Sequence, residues 1–113
     1  MTHKPRTNRR QTVSQPATLT MTDETRHTVR TLDLSHGGIS LQTDSQIRLA
    51  QYCAVSFKVQ LGENNHQVLA MGQVVYSDPD AALGFKTGVQ FLRIDDSSRA
   101  IFHQLLQEDA ADA

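Results

Sequence analysis

Apolar and polar positions alternate along most of this chain, and the period is two. Ala17, Leu19 and Met21 alternate with Thr18, Thr20 and Thr22 in a stretch that opens at Gln15, which predicts a half-buried strand. Thr22-Asp-Glu-Thr25 reads as a polar turn, and a second strand is expected from Arg26 to Leu34, with Leu32 and Leu34 inward. After Gly37-Gly38 a short third strand places Ile39 and Leu41 on one face. Asp44 to Gln51 is a connector in which Leu49 is a candidate for burial and Ile47-Arg-Leu49 for a brief strand. The clearest alternation follows: Cys53, Val55, Phe57, Val59 and Leu61 against Ala54, Ser56, Lys58 and Gln60. Gly62-Glu-Asn-Asn65 supplies a hairpin turn. The return strand, Gln67 to Tyr76, is apolar on both faces around Gly72, which marks a bend or bulge. Ser77-Asp-Pro-Asp80 predicts a further turn, and Leu83 to Leu92 a last strand with Val89 and Phe91 on one face.

The period then changes. Asp96-Ser-Ser98 offers N-capping side chains, and Ile101, Phe102, Leu105 and Leu106 form one stripe of a short helix that ends near Glu108. Strands joined by hairpin turns, with no strand-helix-strand alternation, predict an all-β antiparallel barrel or sandwich followed by a helix. The expected organisation is a flexible basic N-terminal arm over residues 1–14, a barrel domain with its C-terminal helix over 15–108 and a frayed tail over 109–113.

Length and charge narrow the classes. A chain of 113 residues with a formal charge of -1 has one modest core and no bulk electrostatic pull toward nucleic acid or membrane. Aromatic residues at 5% are too few for base-stacking platforms, which argues against single-strand nucleic-acid binding. No run reaches a membrane span, the start has no apolar signal core, and one cysteine, Cys53, forms no internal disulfide. A cytoplasmic protein is the expectation. Cys53 reads as a small core residue.

Enzymatic motifs are missing. There is no phosphate-binding glycine loop, and the five histidines stand at no metal-ligand spacing. Ser35 and His36 are adjacent, so in extended backbone they point to opposite faces and make no nucleophile-base pair. No enzyme, cofactor or metal is expected.

Two clusters carry recognition chemistry instead. Charge is concentrated in the arm, where Lys4, Arg6, Arg9 and Arg10 lie with no acid among them. Arg6 and Arg10 are four apart, and a guanidinium fork grips phosphate, pairs with a guanine edge or stacks on a base. Asp33 and Ser35, followed by Gly37-Gly38, place an anionic acceptor and a hydroxyl beside bare backbone; two residues apart in a strand, both are expected on one face. A second Arg-x-x-x-Arg, Arg26 to Arg30, falls inside a strand and reads as a solvated edge face.

On Arg6-Thr-Asn-Arg-Arg10 and Asp33-Leu-Ser-His-Gly-Gly38, with Gly72-Gln-Val-Val-Tyr76 and Gly88-Val-Gln-Phe91 behind them, the chain resembles the PilZ domain, a bacterial receptor family for cyclic di-GMP. The resemblance runs from about Arg6 to Leu106. It implies a six-stranded antiparallel, split-barrel fold with a short C-terminal helix. It implies cyclic di-GMP as the ligand, held by Arg6, Arg9, Arg10, Asp33, Ser35 and Gly38. Tyr76 matches an aromatic that packs near a base in some members, with barrel packing as the equal alternative. The expected output is an arm drawn onto the barrel and a surface read by a downstream protein or a homodimer. A protein-interaction adaptor without nucleotide, as in pilus assembly, is the alternative.

Overall fold

A computed structural model describes residues 10–111, with side chains as far as Leu106. Seven strands precede one helix: β1 (Gln11–Thr12), β2 (Pro16–Met21), β3 (Arg26–Leu34), β4 (Gly38–Thr43), β5 (Tyr52–Leu61), β6 (Asn64–Asp80), β7 (Gly84–Ile94) and α1 (Asp96–Ala111). Every pairing is antiparallel, and the order β3-β2-β5-β6-β7-β4 closes on itself through β3–β4. The result is the expected six-stranded barrel and C-terminal helix, with β1 as an extra strand. Closure through β3–β4 leaves neither β3 nor β4 as a terminal edge strand of the barrel.

Alternation does what period-two patterning dictates. Leu19, Leu41, Val55, Val68, Val74 and Val89 are fully buried inside the barrel. Its helix end is covered by α1, whose Phe102 is 1% exposed and lies against Phe57 and Phe91 at ring-centroid distances of 6.2 and 5.5 Å. The predicted helix stripe, Ile101, Phe102, Leu105 and Leu106, is the buried one. The N-cap is Asp95 rather than a residue of Asp96-Ser-Ser98: its Oδ1 accepts the Ser98 N–H at 2.7 Å. That bond holds the Asp95 carboxyl below its usual range. Ser98 instead turns its hydroxyl inward, where it accepts the Leu69 N–H at 2.9 Å and fastens α1 to β6.

Four local expectations change. Ser77-Asp-Pro-Asp80 is not a turn but the end of β6, with Asp78 opposite Lys86 and Pro79 opposite Phe85. Pairing of β6 with β5 stops at Gln73, so beyond it one side of β6 is an edge, where proline is tolerated. The turn falls at Ala81–Leu83, capped by Asp80 Oδ1, which accepts the Ala82 and Leu83 N–H groups at 2.9 and 3.1 Å. Leu49 is 57% exposed, and Ile47 is the buried residue of a connector that contains no strand. A buried hydroxyl cluster explains that choice. Ser77 Oγ receives the Ile47 N–H at 2.9 Å and lies 2.8 Å from Thr87 Oγ1, itself 3.0 Å from Thr43 Oγ1. In β3 a bulge between Thr31 and Asp33 resets the phase, so Val29, Thr31 and Leu34 face inward while Leu32 is only half-buried.

The fourth concerns the arm. Although Met1 to Ser14 shows no periodicity, Gln11 and Thr12 pair with Leu34 and Asp33, on the β3 edge that β2 occupies further along. Val13 to Gln15 bridges the two strands, and Thr31 fills the gap. Its hydroxyl accepts the Gln15 N–H at 2.8 Å and donates to the Val13 carbonyl. The root of the basic segment is thereby fixed to the end of β3.

Candidate functional site

Three elements meet at one end of β3. The first is the root of the arm: with Thr12 opposite Asp33, β1 delivers Arg10 to that end, and its guanidinium Nη1 contacts Asp33 Oδ1 in an ion pair. Two motifs separated by 23 positions in sequence thus meet through one contact. Arg10 is half exposed and Asp33 a quarter exposed, so the pair is solvent-screened.

The second element is the turn from Leu34 to Gly38. Ser35 does not continue the strand beside Asp33, as strict alternation predicted. It is 2% exposed and organises the turn: its N–H donates to the Gly38 carbonyl at 2.9 Å, and its hydroxyl lies 3.3 Å from the Gly37 N–H and 3.4 Å from the Gly38 carbonyl. Strand β3 ends at Leu34, so Ser35 belongs to the turn while Asp33 is still in the strand. His36 is exposed, with its ring 6.1 Å from that of His103 on α1, and the Ser35 contacts are with backbone rather than with imidazole.

The third element is the pairing of β4 with β7. A Cβ added at Gly38 would stand 2.5 Å from the Val89 carbonyl oxygen, so this glycine is what lets the two backbones lie so close. At Gly88 a Cβ would stand 2.1 Å from Cε2 of Tyr76. The Tyr76 ring therefore lies flat on Gly88, and its hydroxyl is 3.0 Å from Ser40 Oγ. Tyr76 packs against the barrel and also lines the cavity beside it.

That cavity has a volume of about 330 Å³, in the size range of small-ligand sites. Arg10, Ser35 and Gly38 line it from the two motifs, and Tyr76, Val75 and Gln90 from β6 and β7. Arg10 is the only charged side chain in its lining among the described residues. Arg6 and Arg9 lie outside the described residues. Sequence reasoning missed Val75, Gln90 and Thr31. Since Val89 and Phe91 were read as inward, Gly88 and Gln90 were outward by the same alternation, and that signal was available. Cys53 is buried, and burial pushes its thiol up to about 11, which makes it a poor nucleophile. No group of three or more metal-ligating side chains occurs among the described residues.

The PilZ domain family model matches residues 4–108, and the chain belongs to that family. Solved structures agree on the fold. The Bacillus subtilis inhibitor of motility MotI/DgrA superposes with a TM-score of 0.79 at 13% identity, over 97% of this chain and 53% of that one. This chain thus spans about half the length of that protein. The PilZ domain of YcgR from Escherichia coli, solved with c-di-GMP, gives a TM-score of 0.61 at 14% identity over 96% of each chain. The PilZ domain of CeSA from a cellulose-synthesizing bacterium gives 0.55 at 17% identity over 88% of this chain and 96% of that one. No curated protein matches the sequence.

Proposed function

We infer that this domain is a cyclic di-GMP receptor whose ligand sits at the junction of the arm root, the Ser35–Gly38 turn and the β4–β7 pair. The observation that carries the reading is the Arg10–Asp33 contact, which joins the arginine motif to the Asp-x-Ser-x-x-Gly motif beside a cavity lined by Arg10, Ser35 and Gly38. The YcgR domain was solved with this ligand, and its fold is shared. Arg10 supplies a fork for phosphate or a guanine edge, and Asp33 accepts from paired guanine N–H groups. The Ser35 hydroxyl and Gly38 backbone shape the turn against which the ligand rests. The ligand's two phosphates draw Arg6 and Arg9 to the same place. The arm and barrel side then form a surface for a downstream protein or a second copy, in a cytoplasmic setting.

Energetically, several charge-assisted hydrogen bonds at ~1.5–3 kcal/mol each outweigh an ordering cost of roughly 2–5 kcal/mol. A dissociation constant near or below micromolar, about -8 to -10 kcal/mol, follows. Titration calorimetry with cyclic di-GMP tests the reading. Tight binding that survives Arg6→Ala, Arg10→Ala and Asp33→Ala in one chain rejects the site.

One observation favours a second reading, a nucleotide-independent adaptor. Tyr52, Leu69, Met71 and Leu92 are exposed large apolar residues, and Tyr52, Met71 and Leu92 share a cavity of about 420 Å³ on the β5–β6–β7 side. A folded chain that gives no heat with cyclic di-GMP leaves the adaptor reading in its place.

A further inference from the structure

The cavity of about 330 Å³ has a far wall that neither motif supplies. It is made by Gln90 on β7 and Val75 on β6. Val75 is the extra residue of a bulge: Val74 stands opposite Val89 and Tyr76 opposite Gly88, which leaves Val75 unpaired. It is 48% exposed, an apolar side chain held at the cavity rim by irregular backbone rather than drawn into the core.

Gln90 is exposed and faces the same space. Several glutamines on this barrel are engaged by the fold. Gln42 donates to the Leu83 carbonyl at 3.1 Å, Gln46 to that of Ser77 at 3.0 Å and Gln73 to that of Ala50 at 3.1 Å, while Gln67 donates to Ser56 Oγ. The Gln90 carboxamide makes no hydrogen bond among the described residues. Its backbone is nonetheless fixed on both sides, opposite Gly38 of β4 and Gln73 of β6. A placed but unbonded carboxamide beside an unpaired apolar side chain is a suitable wall for a purine: one offers a donor and an acceptor, the other a nonpolar surface.

The geometry points to Gln90, with Val75, as a further base contact of the ligand site, one that reads a purine edge opposite Arg10. It rests on the cyclic di-GMP reading. The amide N–H donates to guanine O6 and the amide oxygen accepts from guanine N1–H, so one side chain satisfies two adjacent groups. Asp33, which only accepts, cannot make that pair of bonds.

The test combines cyclic di-GMP calorimetry with thermal melting on the wild type, Gln90→Ala and Gln90→Met. A further readout is the Gln90 side-chain amide resonance during titration. Because the carboxamide makes no hydrogen bond among the described residues, both variants should melt with the wild type. Each should bind about tenfold more weakly, as the loss of two ordinary hydrogen bonds implies. The amide resonance should shift with ligand. Variants within twofold of wild-type affinity, with an unmoved resonance, overturn the assignment while the receptor reading stands. A folded wild type that does not bind overturns both.

Discussion

Replacing Gly38 by alanine separates two reasons for a glycine in the Asp-x-Ser-x-x-Gly motif. One is room for a ligand; the other is room for β7. The added Cβ would stand 2.5 Å from the Val89 carbonyl oxygen, about 0.9 Å inside the 3.4 Å at which ordinary contact begins. The clash is with backbone, so no side chain can swing away to relieve it. If β7 retreated by that distance, ladder hydrogen bonds near ~2.9 Å would stretch beyond ~3.5 Å and fail. The nearby bond from the Phe91 N–H to the Gly37 carbonyl, 2.9 Å long, would be strained with them. Overpacking of this kind costs ~1–3 kcal/mol. At about 4 °C per kcal/mol for a domain of this size, Gly38→Ala should lower the melting temperature by about 4–12 °C without ligand. Scanning calorimetry on the ligand-free protein checks it. A Gly38→Ala chain melting within about 1 °C of the wild type would refute the close-approach account and assign this glycine to the ligand alone.

Other consequences follow from the same contacts. Thr31→Val removes the hydroxyl that bridges Val13 and Gln15. It should cost ~1–3 kcal/mol and speed amide exchange at Gln15, whereas unchanged exchange would detach the arm root from this clasp. Asp95→Ala should lose the bond to the Ser98 N–H and destabilise the start of α1. Because the Asp95 carboxyl is held below its usual range when folded, its contribution is complete at neutral pH and fades as pH falls below about 4. Urea midpoints of the wild type and Asp95→Ala should therefore differ at pH 7 and converge as the pH falls below the usual carboxylate range; a constant gap contradicts the cap. The Cys53 thiol is raised from 9.0 to about 11, so it favours the folded state below pH 9 and that advantage is lost as pH rises to about 11. Wild type should lose roughly 2–3 kcal/mol more than Cys53→Ala across that window, and parallel alkaline profiles would contradict the burial.

How much of this was legible in the sequence depended on what each residue answers to. The Cys53–Leu61 alternation was readable because one face of β5 meets only the core. The C-terminal helix was readable because its stripe changes period. Pro79 misled because a turn residue is also tolerated where a long strand becomes an edge, and where β5 stops pairing is a fact of topology rather than of local sequence. The bulge after Thr31 was hidden for a related reason: alternation assumes an unbroken register, and one extra residue moved Leu32 outward and brought Thr31 in. At the site, the two motifs were legible as residue types, but not that Ser35 is used by its own turn or that β1 places Arg10 on Asp33. Gln90 was passed over because an outward glutamine looks like any solvated strand residue until the cavity beside it is seen.

The central claim is most directly tested by one calorimetric titration of cyclic di-GMP into the folded wild-type chain and into the Arg10→Ala and Asp33→Ala variants. The account predicts a dissociation constant near or below micromolar for the wild type and a loss of at least tenfold for each variant, with melting close to that of the wild type. No heat from well-folded wild type at about 100 μM ligand, or full affinity in both variants, contradicts it.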